Sequence, residues 1–269
     1  MDTDQAWEQW GCRDPYYGVL TQPQFRSDAL TSEAREVFFA SGQLHVGHIF
    51  DVLRCHLAPA FAPNRVLDFG CGVGRVLIPF AECAKEVIGV DISPSMLAEA
   101  RRNCEARALA NVSLLPSDDT LSSVEGTFDL VHSCIVLQHI EVSRGRALFA
   151  ELVRRVRPGG CGALHVTIAW DAHAITFGQP PPVVPPQPHG PLSSARTTLR
   201  QWLVPVAPAA PPGASTLGEK ESDPEMQMNY YNLSELVFIL QRAGVVRFHT
   251  ELTDHGGAIG AFVFFQIPA

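Results

Sequence analysis

Arg65-Val66-Leu67-Asp68-Phe69-Gly70-Cys71-Gly72-Val73-Gly74-Arg75 decides how this chain folds. A short apolar run ends in an acid, and three glycines follow at every second position. A helix is expected next, over residues 76–84. Strand, glycine turn and helix in that order build the nucleotide site of a doubly wound α/β sheet. The glycines let the backbone approach a ligand closely, and the helix N-terminus adds the positive end of its dipole. A dinucleotide fingerprint, G-x-G-x-x-G, would need a glycine at position 75, where Arg75 stands. That disfavours a nicotinamide dehydrogenase.

Working outward, Val46, Ile49, Phe50, Leu53 and Leu57 recur at helical spacing before the stretch, and Gly42 is expected to break that helix from an earlier one starting at Thr31-Ser32-Glu33. After the stretch, strands are expected at 86–91, 111–115, 127–133 and 161–168, with helices between them. Ser93 caps one helix and Pro94 occupies its first position. Arg157-Pro158-Gly159-Gly160 reads as a turn. Residues 233–242 form a last helix. Two final strands, 245–252 and 261–267, are joined so tightly that they must run antiparallel. The fold class is α/β, with a doubly wound, seven-stranded, mostly parallel sheet, an antiparallel last strand and helices on both faces.

Three segments divide the chain. Residues 1–43 form an N-terminal arm or lid. Residues 44–170 and 226–269 form the nucleotide domain. Residues 171–225 form an insertion holding 12 of the 21 prolines, placed at the carboxyl end of the fifth strand, where it is a candidate lid over the acceptor.

The motifs resemble those of the class I, Rossmann-like S-adenosylmethionine-dependent methyltransferases. Asp68-Phe69-Gly70-Cys71-Gly72-Val73-Gly74 is similar to their first motif. Asp91 matches the acid ending their second strand, and Ser117-Asp118-Asp119 sits where their third strand supplies an adenine contact. Residues 128–139 and 157–160 resemble their later motifs. The resemblance runs from about residue 44 to 267, less the insertion. It implies S-adenosylmethionine as cofactor, with Asp68 and the Gly70 and Gly72 backbone at its methionine end, and Phe69, Cys71, Gly74 and Arg75 as further cofactor-binding residues. Asp91 would hold both ribose hydroxyls. Asp118 or Asp119 would accept from the adenine amino group, and Ile92 or Met96 would pack on the ring. Cys134 would touch the cofactor through its backbone.

Composition bounds the acceptor. The 269 residues carry a net charge of -8, so no general nucleic-acid partner is expected. The N-terminus lacks a signal-peptide pattern, and the seven cysteines form no CxxC pair. No apolar run approaches the ~20 residues a membrane span needs. A cytoplasmic protein without a membrane partner or bound metal is expected, acting on a small molecule, with a hydroxyl oxygen preferred. Methyl transfer to a hydroxyl calls for a general base. His139 follows the fourth strand, and His255, beside Asp254, lies on the last turn; each is a candidate. Asp254 could equally be a turn former ahead of Gly256 and Gly257. His132 and His165 read as core. Tyr16, Tyr17, Tyr230 and Tyr231 are candidates to line the acceptor pocket, or simply to pack. A protein with the same cofactor set but only a regulatory role, or an N-methyltransferase, would share all these motifs.

Overall fold

The computed structural model describes residues 3–171 and 223–269. Two short helices, α1 (Thr3–Arg13) and α2 (Pro15–Val19), lead into the long α3 (Ser32–His56). The sheet alternates with helices: β1 (Arg65–Phe69), α4 (Leu77–Cys83), β2 (Glu86–Asp91), α5 (Pro94–Glu105), β3 (Val112–Pro116), β4 (Phe128–Ser133), α6 (Val142–Arg154) and β5 (Val156–Trp170). Then come α7 (Leu233–Arg242), β6 (Phe248–Asp254) and β7 (Ala258–Gln266). The strand order is β3-β2-β1-β4-β5-β7-β6, and β7 alone runs antiparallel to its neighbours. The order reverses between β1 and β4, the switch point where such sheets bind ligands.

Strand alternation divides the core between the two sheet faces. Val66, Val87, Leu130 and Phe264 pack with α3 and α4 on one side. Leu67, Ile88, Val131 and Phe265 pack with α6 and α7 on the other. Burying both faces is what the near-continuous apolar strands require.

Three expectations change. Gly42 does not end a helix: α3 runs unbroken from its Thr31 cap, which accepts from the Ala34 amide at 3.2 Å. A Cβ at Gly42 would lie 1.9 Å from the Arg75 carbonyl oxygen, so the glycine permits α3 to press against the glycine turn. A division at 43/44 therefore falls within one continuous helix. Residues 157–160 are not a separate turn either. The chain already pairs with β4 at Val156, and the register slips between Phe128 and Leu130, which absorbs the extra residues as an irregularity inside β5. Most of the proline-rich insertion, residues 172–222, lies outside the described residues.

Candidate active site

The turn after β1 is fixed before any ligand is considered. Gly70 and Cys71 donate their amides to the Val90 carbonyl at the tip of β2. Gly70, Gly72 and Gly74 all have positive φ, which a side chain would strain. Asp91 ties the turn to the next helix: Oδ2 accepts from Gly72 N at 2.8 Å and Oδ1 from Ser93 N at 2.9 Å. Ser93 in turn caps α5 by accepting from Met96 N. Burial pushes the Asp91 carboxyl up to about 6, against the amides that favour its charged form.

A cleft enclosing, with its mouth, about 1050 Å³ opens beside this turn. Asp68, Phe69, Gly70, Cys71, Gly72, Arg75, Asp91, Ile92, Met96, Asp118, Asp119, Cys134 and His139 all line it. Gly74 does not: its amide donates back to Cys71, and its α-carbon faces Ile78 and Ala100. Three groups on the wall matter electrostatically. Asp68 is 2% exposed; its Oδ1 accepts from His132 Nδ1 at 2.7 Å, while Oδ2 has no partner among the described residues. Arg75 is buried with Nε likewise unpartnered, and desolvation lowers its pKa. Cys134 is held up to about 11 by burial, so its thiol is inert near neutrality.

Asp118 spends much of its acceptor capacity locally. Oδ1 takes the Thr120 and Ser122 amides and the Thr120 hydroxyl, and Oδ2 takes the Ser122 hydroxyl. These bonds hold its carboxyl well below the usual range. Asp119 instead accepts from Arg144 Nε at 2.5 Å.

The N-terminal helices roof the cleft. Thr3, Asp4, Trp7, Gly18 and Val19 line it from above. Glu8 fastens α1 to the start of α5, accepting from both Ser93 Oγ and Ser95 Oγ at 2.6 Å. Arg144 forks onto Asp4 at 2.8 and 2.9 Å, and Thr3 Oγ1 donates to the His139 carbonyl. The arm expectation covered this region, but no spacing in residues 1–20 distinguishes the roofing side chains. Arg144 and Leu148 also line the cleft without a sequence signal, as does Val136 from within the 128–139 motif. So does His132, which the sequence places in the core.

His139 lies at the junction of roof and wall. Its Nδ1 donates to the Gln227 carbonyl at 2.7 Å, leaving Nε2 as the acceptor, with Gln138 Nε2 at 3.3 Å. Burial lowers its pKa to about 4.

The other acceptor-side candidates are not brought to the cleft. His255 lies on the exposed turn between β6 and β7, and Asp254 Oδ1 accepts from Gly257 N at 2.7 Å, which makes it a turn former. The Tyr16 hydroxyl donates to Glu99 Oε1 at 2.6 Å within the core. Tyr17 lies under the Arg26 guanidinium, 3.5 Å from its ring centre. Tyr230 is half-buried on the segment leading into α7, away from the cleft lining. Tyr231 is buried, its hydroxyl 2.8 Å from the carbonyls of Leu137 and Ile140. Among the described residues no group of His, Cys, Asp and Glu is arranged to hold a metal, and no helix is long and apolar enough to cross a membrane.

Residues 66–160 match the family model described as a methyltransferase domain. The chain is 37% identical over 109 residues to a ribosomal protein L11 methyltransferase of Ralstonia pickettii, covering 40% of this chain and 33% of that protein. It is 36% identical over 112 residues to a trans-aconitate 2-methyltransferase of Methylobacterium nodulans, covering 40% of each. The matched part thus spans about a third to two fifths of these relatives. The magnesium protoporphyrin IX methyltransferase of Synechocystis PCC 6803, solved with bound SAH, shares the fold, with a TM-score of 0.59 at 17% identity over 98% of this chain and 99% of that one. Residues 66–160 thus match a methyltransferase-domain model, and the sheet order β3-β2-β1-β4-β5-β7-β6 with an antiparallel β7 is that of the Rossmann-like methyltransferase fold.

Proposed function

We propose that the protein binds S-adenosylmethionine in the roofed cleft and transfers its methyl group to a small molecule, at a hydroxyl oxygen. The observation that carries the donor assignment is the placing of Asp68 and Asp91 on one cleft, either side of the glycine turn. The wall fits this donor. The partnerless Asp68 Oδ2 suits an ammonium, the Arg75 guanidinium a carboxylate, and Asp91 a ribose diol. Ile92 and Met96 offer the apolar faces that an adenine ring needs, with Asp118 or Asp119 at its amino group. Bound there, the cofactor would supply a methyl group carried on a sulfonium sulfur.

The chain's own part is alignment, exclusion of water and proton handling. Trp7 and Val19 close the cleft against solvent. His139 is the base in this scheme. Its Nδ1 hydrogen is fixed on Gln227, so Nε2 carries the lone pair, which turns from the Gln138 amide at 3.3 Å to take the acceptor's proton. A pKa of about 4 keeps that nitrogen unprotonated at neutral pH, at a cost in basicity. The roof of α1 and α2 favours a small acceptor over a folded protein.

The depressed basicity of His139 supports a second reading, transfer to an amine whose free lone pair needs no base. The relatives' names span a ribosomal protein and a small acid, so they do not choose between acceptors. Incubation with S-adenosylmethionine and a panel of small alcohols, phenols, carboxylates and amines, with S-adenosylhomocysteine release as readout, tests both. Turnover confined to hydroxyl compounds and lowered by His139→Ala supports the first reading. Turnover confined to amines and indifferent to His139→Ala supports the second.

A further inference from the structure

Asp68 belongs to a buried chain of hydrogen bonds drawn from three elements. His132, on β4, meets Asp68 Oδ1 through Nδ1 at 2.7 Å. On its other side, His132 Nε2 lies 3.0 Å from Nε2 of His45, on α3. His132 is 1% exposed, and its ring is packed by Phe80 of α4 and Phe262 of β7. A carboxylate oxygen only accepts, so Nδ1 of His132 carries the hydrogen. The contact between the two Nε2 atoms needs one proton between two nitrogens. Burial holds His45 in its neutral form, and an Nε2–H on His45 supplies that proton. Nδ1–H on His132 and Nε2–H on His45 satisfy both contacts with one hydrogen each.

We propose that His132 is a positioning residue for the methyl donor: it engages Asp68 Oδ1, leaving Oδ2 open for the donor's ammonium, and His45 fixes the tautomer that allows it. The proposal rests on the donor assignment above. It explains why one oxygen of a carboxylate in a dry wall is satisfied from behind and the other is not. It also gives α3 a part in the site, though it lies on the far side of the sheet from α6 and the roof of the cleft is made by α1 and α2.

The charged and titratable groups around the pair come from every packed element. Asp91 of β2, Cys71 and Arg75 of the glycine turn, and Cys134 beyond β4 face Asp68. His48 of α3 and His165 of β5 face His45, as does Arg75. None of these offers Asp68 Oδ1 the hydrogen that His132 does.

The variant His132→Leu keeps much of the volume and removes the donor. The carboxylate then loses the hydrogen bond that holds Oδ1 and turns Oδ2 toward the cleft. His132→Asn restores a donor, because the Asn amide nitrogen sits where the His Nδ1 sits. S-adenosylhomocysteine, which carries the same ammonium, is titrated calorimetrically into wild type and both variants at about pH 7. The expected result is binding about ten- to hundredfold weaker for His132→Leu and recovery in His132→Asn. No deficit in His132→Leu, or a deficit that His132→Asn does not recover, overturns the proposal. If the wild type itself binds nothing, the donor assignment falls instead. If His132→Leu fails to fold, ring-nitrogen NMR of the wild type decides. A hydrogen on Nδ1 of His132 whose resonance moves on adding S-adenosylhomocysteine supports the proposal. A hydrogen on Nε2 alone, or an unmoved resonance, overturns it.

Discussion

Trp7 sets its indole edge-on to the His139 ring, with 4.8 Å between centroids at an interplanar angle of 61°. Together with the Thr3 hydroxyl on the His139 carbonyl, this contact joins the first helix of the chain to the turn after β4, and both rings line the cleft. An edge-to-face pair of this kind contributes roughly 0.5–1.5 kcal/mol beyond its buried area. Trp7→Ala is therefore expected to weaken donor binding by about three- to tenfold while the melting temperature moves little, since α1 keeps its Glu8 and Asp4 links. Paired calorimetry and thermal melts check it; an unchanged affinity would remove the roof from the account.

Asp91 predicts a pH dependence. Its folded-state pKa, about 6, lies above the ordinary 3.8 because burial penalises the charged form. Below that value the acid is neutral and loses an acceptor for the ribose, so donor affinity should fall about tenfold per pH unit beneath about pH 6. The sign for stability is opposite. A raised folded pKa contributes stability that is fully present below 3.8 and is lost as pH rises through about 6. The ligand-free protein should carry this loss at pH near 7, and Asp91→Asn should flatten that slope while weakening donor binding. Melts and titrations across about pH 5–8 check both signs.

Gly42→Ala tests the fit of α3 on the glycine turn. The added Cβ would meet a backbone oxygen at 1.9 Å, which cannot swing aside as a side chain would. The better helix propensity of Ala, about 1 kcal/mol, is expected to be outweighed, for a net loss of about 1–3 kcal/mol. A melting temperature equal to or above that of the wild type would contradict this packing.

Tyr231→Phe tests the anchoring of His139. The phenol hydroxyl lies on the Leu137 and Ile140 carbonyls that flank the turn carrying His139; without it the Leu137 carbonyl keeps the Ile140 amide, and the Ile140 carbonyl loses the phenol. A cost of about 1–3 kcal/mol in stability is expected, with kcat lowered and donor affinity kept. Chemical denaturation and steady-state kinetics separate the two effects.

The sheet and much of the cleft lining are legible in the sequence because their signals are local. Asp68, the glycines and Asp91 lie at strand tips within 24 residues of one another, and strand alternation follows from burial on both faces. What depends on partners distant in the chain is not legible. Gly42 reads as a breaker until Arg75 is seen beneath it. His132 reads as core until Asp68 and His45 are seen on either side of its ring. The four tyrosines carry no mark to say whether a phenol faces a cleft or, like that of Tyr16, is spent on Glu99. Asp254 and His255 sit on a turn at the end of the sheet, yet the cleft is at the β1–β4 switch point, away from them.

Calorimetric titration of S-adenosylmethionine into the wild type and Asp91→Ala tests the central claim most directly. The account predicts saturable one-to-one binding to the wild type and affinity lower by about a hundredfold in the variant, with both proteins folded by circular dichroism. No binding to the wild type, or equal binding by Asp91→Ala, would contradict it.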